Sequence, residues 1–156
     1  MKISLFESLG WLAILAIWGL VIANYSSLSD SVPTHFNAAG EPDSFGRKAS
    51  LLVLPSIATL TFLGLTFLNM FPEIFNYPVK ITVDNAPAQY RNIMRMMRYL
   101  KMTLVITFSF ILYKNIQIAQ RLKDGLGHWF LPISLGVLFI PLVYFIANPF
   151  RISKNK

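Results

Sequence analysis

Three long stretches of this chain carry no charged side chain. Ser8 to Ser29, Ala49 to Pro72 and Gly125 to Phe150 contain no Asp, Glu, Lys or Arg, and each is long enough to cross about 30 Å of hydrocarbon at 1.5 Å per helical residue. Backbone polar groups in hydrocarbon must bond within the protein, and runs of this length do so as helices. The composition agrees, with 13% charged and 54% hydrophobic residues and a mean hydropathy of +0.53, whereas soluble domains carry about 25% charged residues. The balance is that of a polytopic membrane protein. Absence of cysteine excludes disulfides, thiolate nucleophiles, iron–sulfur clusters and Cys-ligated zinc.

The expected fold is all-α. It is a single membrane domain over residues 1–156, with transmembrane helices at about 9–25, 51–71, 102–121 and 129–147. The first span is read as a retained anchor, because Glu7 interrupts a basic leader and the apolar run exceeds the 7 to 15 residues of a signal-peptide core. The second holds Pro55 among the hydroxyls Ser56, Thr59, Thr61 and Thr66, which suit backbone satisfaction near the proline or bonding to another helix. The third needs a continuous helix through Lys114, a residue placed to snorkel or to face a polar interior. The fourth contains Pro132 and Pro141, with Trp129 and Phe150 suited to the two interfaces.

A net charge of +7 points to anionic lipid rather than nucleic acid, because the basic residues flank apolar spans. Counting them by connection favours both termini in the cytoplasm. Loop 26–50 is then external and loop 72–101 cytoplasmic. In the latter, Asp84 or Asn85 suits a helix N-cap with Pro87 in the first turn, after a short extended piece from Tyr77 to Val83. Arg91, Arg95, Arg98 and Lys101 follow at i, i+4, i+7 and i+10, a basic face read as a lipid-facing stripe at the inner leaflet. Docking of an acidic cytoplasmic protein is the alternative use of that face.

The external loop, SSLSDSVPTHFNAAGEPDSFGRKAS, is chemically the densest segment. Its Pro and Gly residues argue for tight turns rather than strand or helix. Asp43 is expected to cap backbone amides and pair with Arg47 or Lys48. Recognition of an external ligand by His35, Asn37, Gly40, Glu41, Asp43 and Lys48 is the functional alternative. A metal held by His35, Glu41 and Asp43 has suitable donors, but the spacing fits no metal motif, and neither metal nor cofactor is expected. No GxSxG, HExxH, P-loop or GxGxxG pattern occurs.

The run Val32-Pro33-Thr34-His35-Phe36-Asn37-Ala38-Ala39-Gly40-Glu41-Pro42-Asp43, with Gly46, Lys48 and Leu54-Pro55, resembles the signature of a bacterial membrane family of unknown function. That family includes the N-terminal part of SdpI-type toxin-immunity proteins. Asn76-Tyr77-Pro78-Val79, with Asn85 and Gln89-Tyr90, is similar to the same family's cytoplasmic loop. The resemblance implies a small multi-helix protein of the bacterial cytoplasmic membrane. For immunity members it also implies protection against a secreted peptide toxin and retention of a cytoplasmic regulator. The expected function is recognition of an exported peptide or envelope ligand, of immunity or signalling type. A membrane-embedded enzyme or metal-dependent site using His35, Glu41 and Asp43, and an oligomeric transporter, are the competing readings.

Overall fold

The computed structural model describes residues 5–122 and 124–154; Lys2, Lys123 and Lys156, three of the basic residues in the count that sets the expected orientation, lie outside the described residues. Four helices are long and apolar enough to cross a membrane: α1 (Leu5–Asn24), α2 (Val53–Leu68), α3 (Ala86–Ala119) and α4 (Phe130–Lys154). The chain is a multi-pass membrane protein. α2 is entered through a 3-10 turn at Lys48–Leu52, which brings its apolar run close to the length a span needs.

Helix α3 is the hub. α1, α2 and α4 all pack on it, and among the described residues α4 meets no other helix beyond marginal contact. Ile14, Ile17 and Val21 of α1 join Ala58 and Phe62 of α2 and Val105, Leu112 and Ile116 of α3 in the buried core. Gly10 permits this closeness: a Cβ there would stand 2.3 Å from the Phe62 ring. Thr59 performs both roles expected of the α2 hydroxyls, donating to the Pro55 carbonyl at 2.7 Å and accepting from Trp18 Nε1 at 3.0 Å. Along α4, by contrast, every residue from Phe130 to Asn148 is half-buried or exposed, as suits a helix with lipid on most sides.

The prolines of α4 explain how α3 holds it. A helical proline lacks the N–H that would reach the carbonyl four residues earlier. Pro141 and Pro149 therefore free the carbonyls of Val137 and Phe145, and α3 supplies both missing donors: Tyr99 Oη to Val137 O, and Asn92 Nδ2 to Phe145 O at 2.9 Å. Asn148 Nδ2 donates to Asn92 Oδ1 at 2.7 Å, and Gln89 Nε2 to Pro149 O at 3.1 Å.

The α1–α2 connection is not a sequence of turns alone. Two antiparallel strands, β1 (Ser31–Phe36) and β2 (Pro42–Arg47), form a hairpin, with Val32 and Pro33 buried and β1 packed on α3. In the α2–α3 connection the expected extended piece at Tyr77–Val83 has no strand. Pro87 stands in the first turn of α3, but Asn85 does not cap it. Its side chain turns back, accepting from the Thr82 amide at 2.9 Å and donating to Lys80 O at 3.0 Å.

Candidate functional site

The hairpin is built around an irregular ladder. Its register runs Pro33↔Phe45, His35↔Ser44, Phe36↔Pro42, which leaves Thr34 on one strand and Asp43 on the other without a ladder partner. Such irregularities bend a strand and re-aim side chains. Here they set Asp43 Oδ1 2.6 Å from His35 Nδ1, and the pair stays accessible, with side chains 69% and 42% exposed. A carboxylate only accepts, so Nδ1 is the donor and Nε2 is the ring nitrogen left to face outward. The expectation that Asp43 caps amides and pairs with Arg47 or Lys48 is therefore corrected.

Asn37 shapes the turn. Its Oδ1 accepts from the Ala39 and Glu41 amides at 2.9 and 3.0 Å, and its Nδ2 donates to Glu41 Oε2 at 3.1 Å. Gly40 has φ +80° and lies against the α3–α4 connection, where its carbonyl accepts from the Leu126 amide at 2.7 Å. A Cβ on Gly40 would approach Gly127 O to 2.7 Å, and one on Gly125 would approach Gly40 O to 2.4 Å, so the two connections meet backbone to backbone. A hollow of about 370 Å³ beside this contact is lined by Gly40, Glu41, Asp124 and His128. Lys48 stands at the base of the hairpin, 3.3 Å from Asp30 and over the Tyr25 ring at 5.4 Å. The six residues singled out in this loop thus divide among three places: the His35–Asp43 pair, the Asn37–Gly40–Glu41 turn, and Lys48 at the base. Glu41 does not join the pair, and among the described residues no three His, Asp or Glu side chains gather as a metal site would need.

At the other end of the bundle the basic face is split. Arg91 and Arg95 are exposed and Arg98 half-buried, but Lys101 is not lipid-facing. It is 0% exposed, with Nζ 2.6 Å from both carboxylate oxygens of Glu7, 2.8 Å from Thr66 Oγ1 and over the Phe62 ring at 4.7 Å. A buried ammonium requires a partner, and Glu7 on α1 supplies it, clamping α1, α2 and α3 together. The sequence pattern places this residue in the stripe, and it leaves Lys114 either to snorkel or to face a polar interior; Lys114 is half-buried, over the Phe110 ring at 5.8 Å. In the α2–α3 connection, burial, then the charge interactions with Tyr90 and Glu73, push the Tyr77 phenol up to about 12. Its hydroxyl donates to Pro72 O at 2.7 Å.

These features define a class: a four-helix membrane protein with a bulged strand hairpin bolted across one end of the bundle. The chain belongs to the family bearing the Domain of unknown function DUF1648, which matches residues 12–59, from α1 through the hairpin into α2. It is similar to an Archaeoglobus fulgidus protein described as "Uncharacterized protein", with 31% identity over 150 residues, covering 90% of this chain and 79% of that one. No solved structure matches the chain.

Proposed function

We propose that the protein recognises an exported peptide or envelope ligand through the hairpin, in a role of immunity or signalling type like that of the SdpI-type proteins its loop resembles. The observation that carries this reading is the His35–Asp43 pair: oriented to 2.6 Å yet largely open to solvent, on a hairpin whose tip is fixed to the α3–α4 connection. An exposed ion pair adds little to stability, whereas a rigid imidazole with one nitrogen facing outward is ready to bind. In this proposal the hairpin faces the exterior of the cytoplasmic membrane, both termini lie inside, and a cytoplasmic regulator meets the opposite end.

A photo-crosslinking side chain at Phe45, 57% exposed on β2, tests the reading in intact cells. A single crosslinked species of peptide mass is expected, and His35→Ala or Asp43→Asn removes it while the protein accumulates and melts as the parent does. Crosslinks that persist in both variants, or fall only in proportion to folded protein, defeat the reading.

A further inference from the structure

We propose that the groove between α3 and α4, at the end of the bundle away from the hairpin, binds a phosphate group through the guanidinium groups of Arg91, Arg95 and Arg98. Two hollows lie along this helix seam. One, of about 210 Å³, is lined by Arg91, Arg95, Asn92 and Asn148. The next, of about 340 Å³, is lined by Arg95, Arg98, Tyr99 and Phe145. Arg95 lines both, so the two hollows adjoin at that side chain. A third hollow opens on α3 with Asn92 and Ile93 and on α4 with Ile146 and Pro149, and it has no charged residue in its lining. The arginines line the first two hollows and not the third.

The arginines there are available. Among the described residues the ion pairs are His35–Asp43, Lys48–Asp30 and Lys101–Glu7, and none engages an arginine. Arg98 Nε is buried and has no hydrogen-bond partner among the described residues. An unanswered buried donor is costly, and an anionic oxygen in the adjacent hollow would answer it. The amides that line the first hollow are committed elsewhere, Asn92 to Phe145 O and Asn148 to Asn92, leaving the guanidinium groups as the charged donors. Planar guanidinium forks match phosphate oxygens bidentately.

Position supports the same ligand. From Arg98 to the end of α3 at Ala119 the helix rises about 30 Å, one hydrocarbon thickness. Arg91, Arg95 and Arg98 therefore stand at the bilayer's edge, where headgroup phosphates lie, with the Tyr99 and Phe145 rings, 6.2 Å apart, walling the second hollow. The volumes suit a compact anion and not an acidic helix. A lipid headgroup and a soluble phosphate present the same chemistry, and the test separates them.

The full chain is reconstituted in phosphatidylcholine nanodiscs, with or without phosphatidylglycerol, and with or without inorganic phosphate. The thermal midpoint is measured, as is the lipid retained in native mass spectrometry after detergent release. Phosphatidylglycerol is expected to raise the midpoint and be retained; Arg95→Gln/Arg98→Gln should abolish the rise and cut retention about thirtyfold. Lys80→Gln/Arg151→Gln removes equal charge from exposed positions outside the hollows and should leave both readouts intact. Arg95→Lys/Arg98→Lys keeps charge without the fork and should lose about tenfold or more. A rise with inorganic phosphate that depends on Arg95 and Arg98 identifies a soluble ligand; a rise with phosphatidylglycerol alone identifies the headgroup. The proposal is overturned if neither raises the midpoint, if both neutralised pairs behave alike, or if the lysine pair binds as the parent does.

Discussion

Asn92 donates to the Phe145 carbonyl at 2.9 Å, and that carbonyl is the one Pro149 deprives of its helical donor. The bond links two defects: an amide buried in α3 and a gap in the ladder of α4. Asn92→Ala is expected to lower stability by about 1 to 2 kcal/mol. In a Pro149→Ala background, where the helix supplies its own donor, the same change should cost less. A double-mutant cycle by unfolding in mixed micelles measures the difference, and equal costs in both backgrounds would remove the proline from the explanation.

For the buried clamp, Lys101→Met alone should destabilise by about 3 to 5 kcal/mol, because it removes the ammonium that joins Glu7 on α1 and Thr66 on α2 to α3. Adding Glu7→Gln should recover most of the loss. If the single variant unfolds like the parent, the clamp contributes nothing to holding α1 and α2 on α3.

Gly40→Ala faces both a left-handed φ of +80° and a Cβ 2.7 Å from Gly127 O. A cost of about 1 to 3 kcal/mol is expected, localised at the tip. Hydrogen exchange reads it directly: the Leu126 amide, which donates to Gly40 O, should exchange faster while core amides of α3 keep their protection.

Alkaline pH should act through Tyr77. Its phenol rises from 10.0 to about 12 in the folded chain, so the folded state holds this proton more tightly than the unfolded state. The associated stability is fully present below pH 10 and is lost as pH rises towards 12. Tyr77→Phe should flatten that decline and remove the highest-pH component from the tyrosinate absorbance titration; an unchanged titration refutes the assignment.

Orientation is open to a direct measurement because the chain has no cysteine. Phe45→Cys on the hairpin should react with an impermeant thiol reagent in intact cells, and Val83→Cys, 94% exposed in the α2–α3 connection, should react only after lysis. The reverse pattern inverts the topology.

The spans were legible because charge-free runs of bilayer length have few other solutions, and the start of α3 was legible in Pro87, which stands in its first turn. The hairpin was hidden because its ladder slips around Thr34 and Asp43, so Val32 and Pro33 are buried side by side and no period-two alternation appears. Lys101 was misplaced for a geometric reason. At 100° per residue it sits about 80° from Arg91 and about 120° from Arg95, at the edge of the basic face, and Glu7 waits on that flank. The donors of Asn92 and Tyr99 to the carbonyls freed in α4 depend on the register of two helices far apart in sequence, which no local pattern encodes.

The Glu7–Lys101 clamp also bears on how the protein is made. The two residues are 94 positions apart, so a ribosome delivers α1, the hairpin and α2 before the ammonium that completes the clamp is synthesised. During that interval α1 and α2 lack the ammonium that joins both of them to α3. Emergence of α3 then allows the three-helix unit to close, and α4, whose helix packing among the described residues is on α3, follows it in the chain.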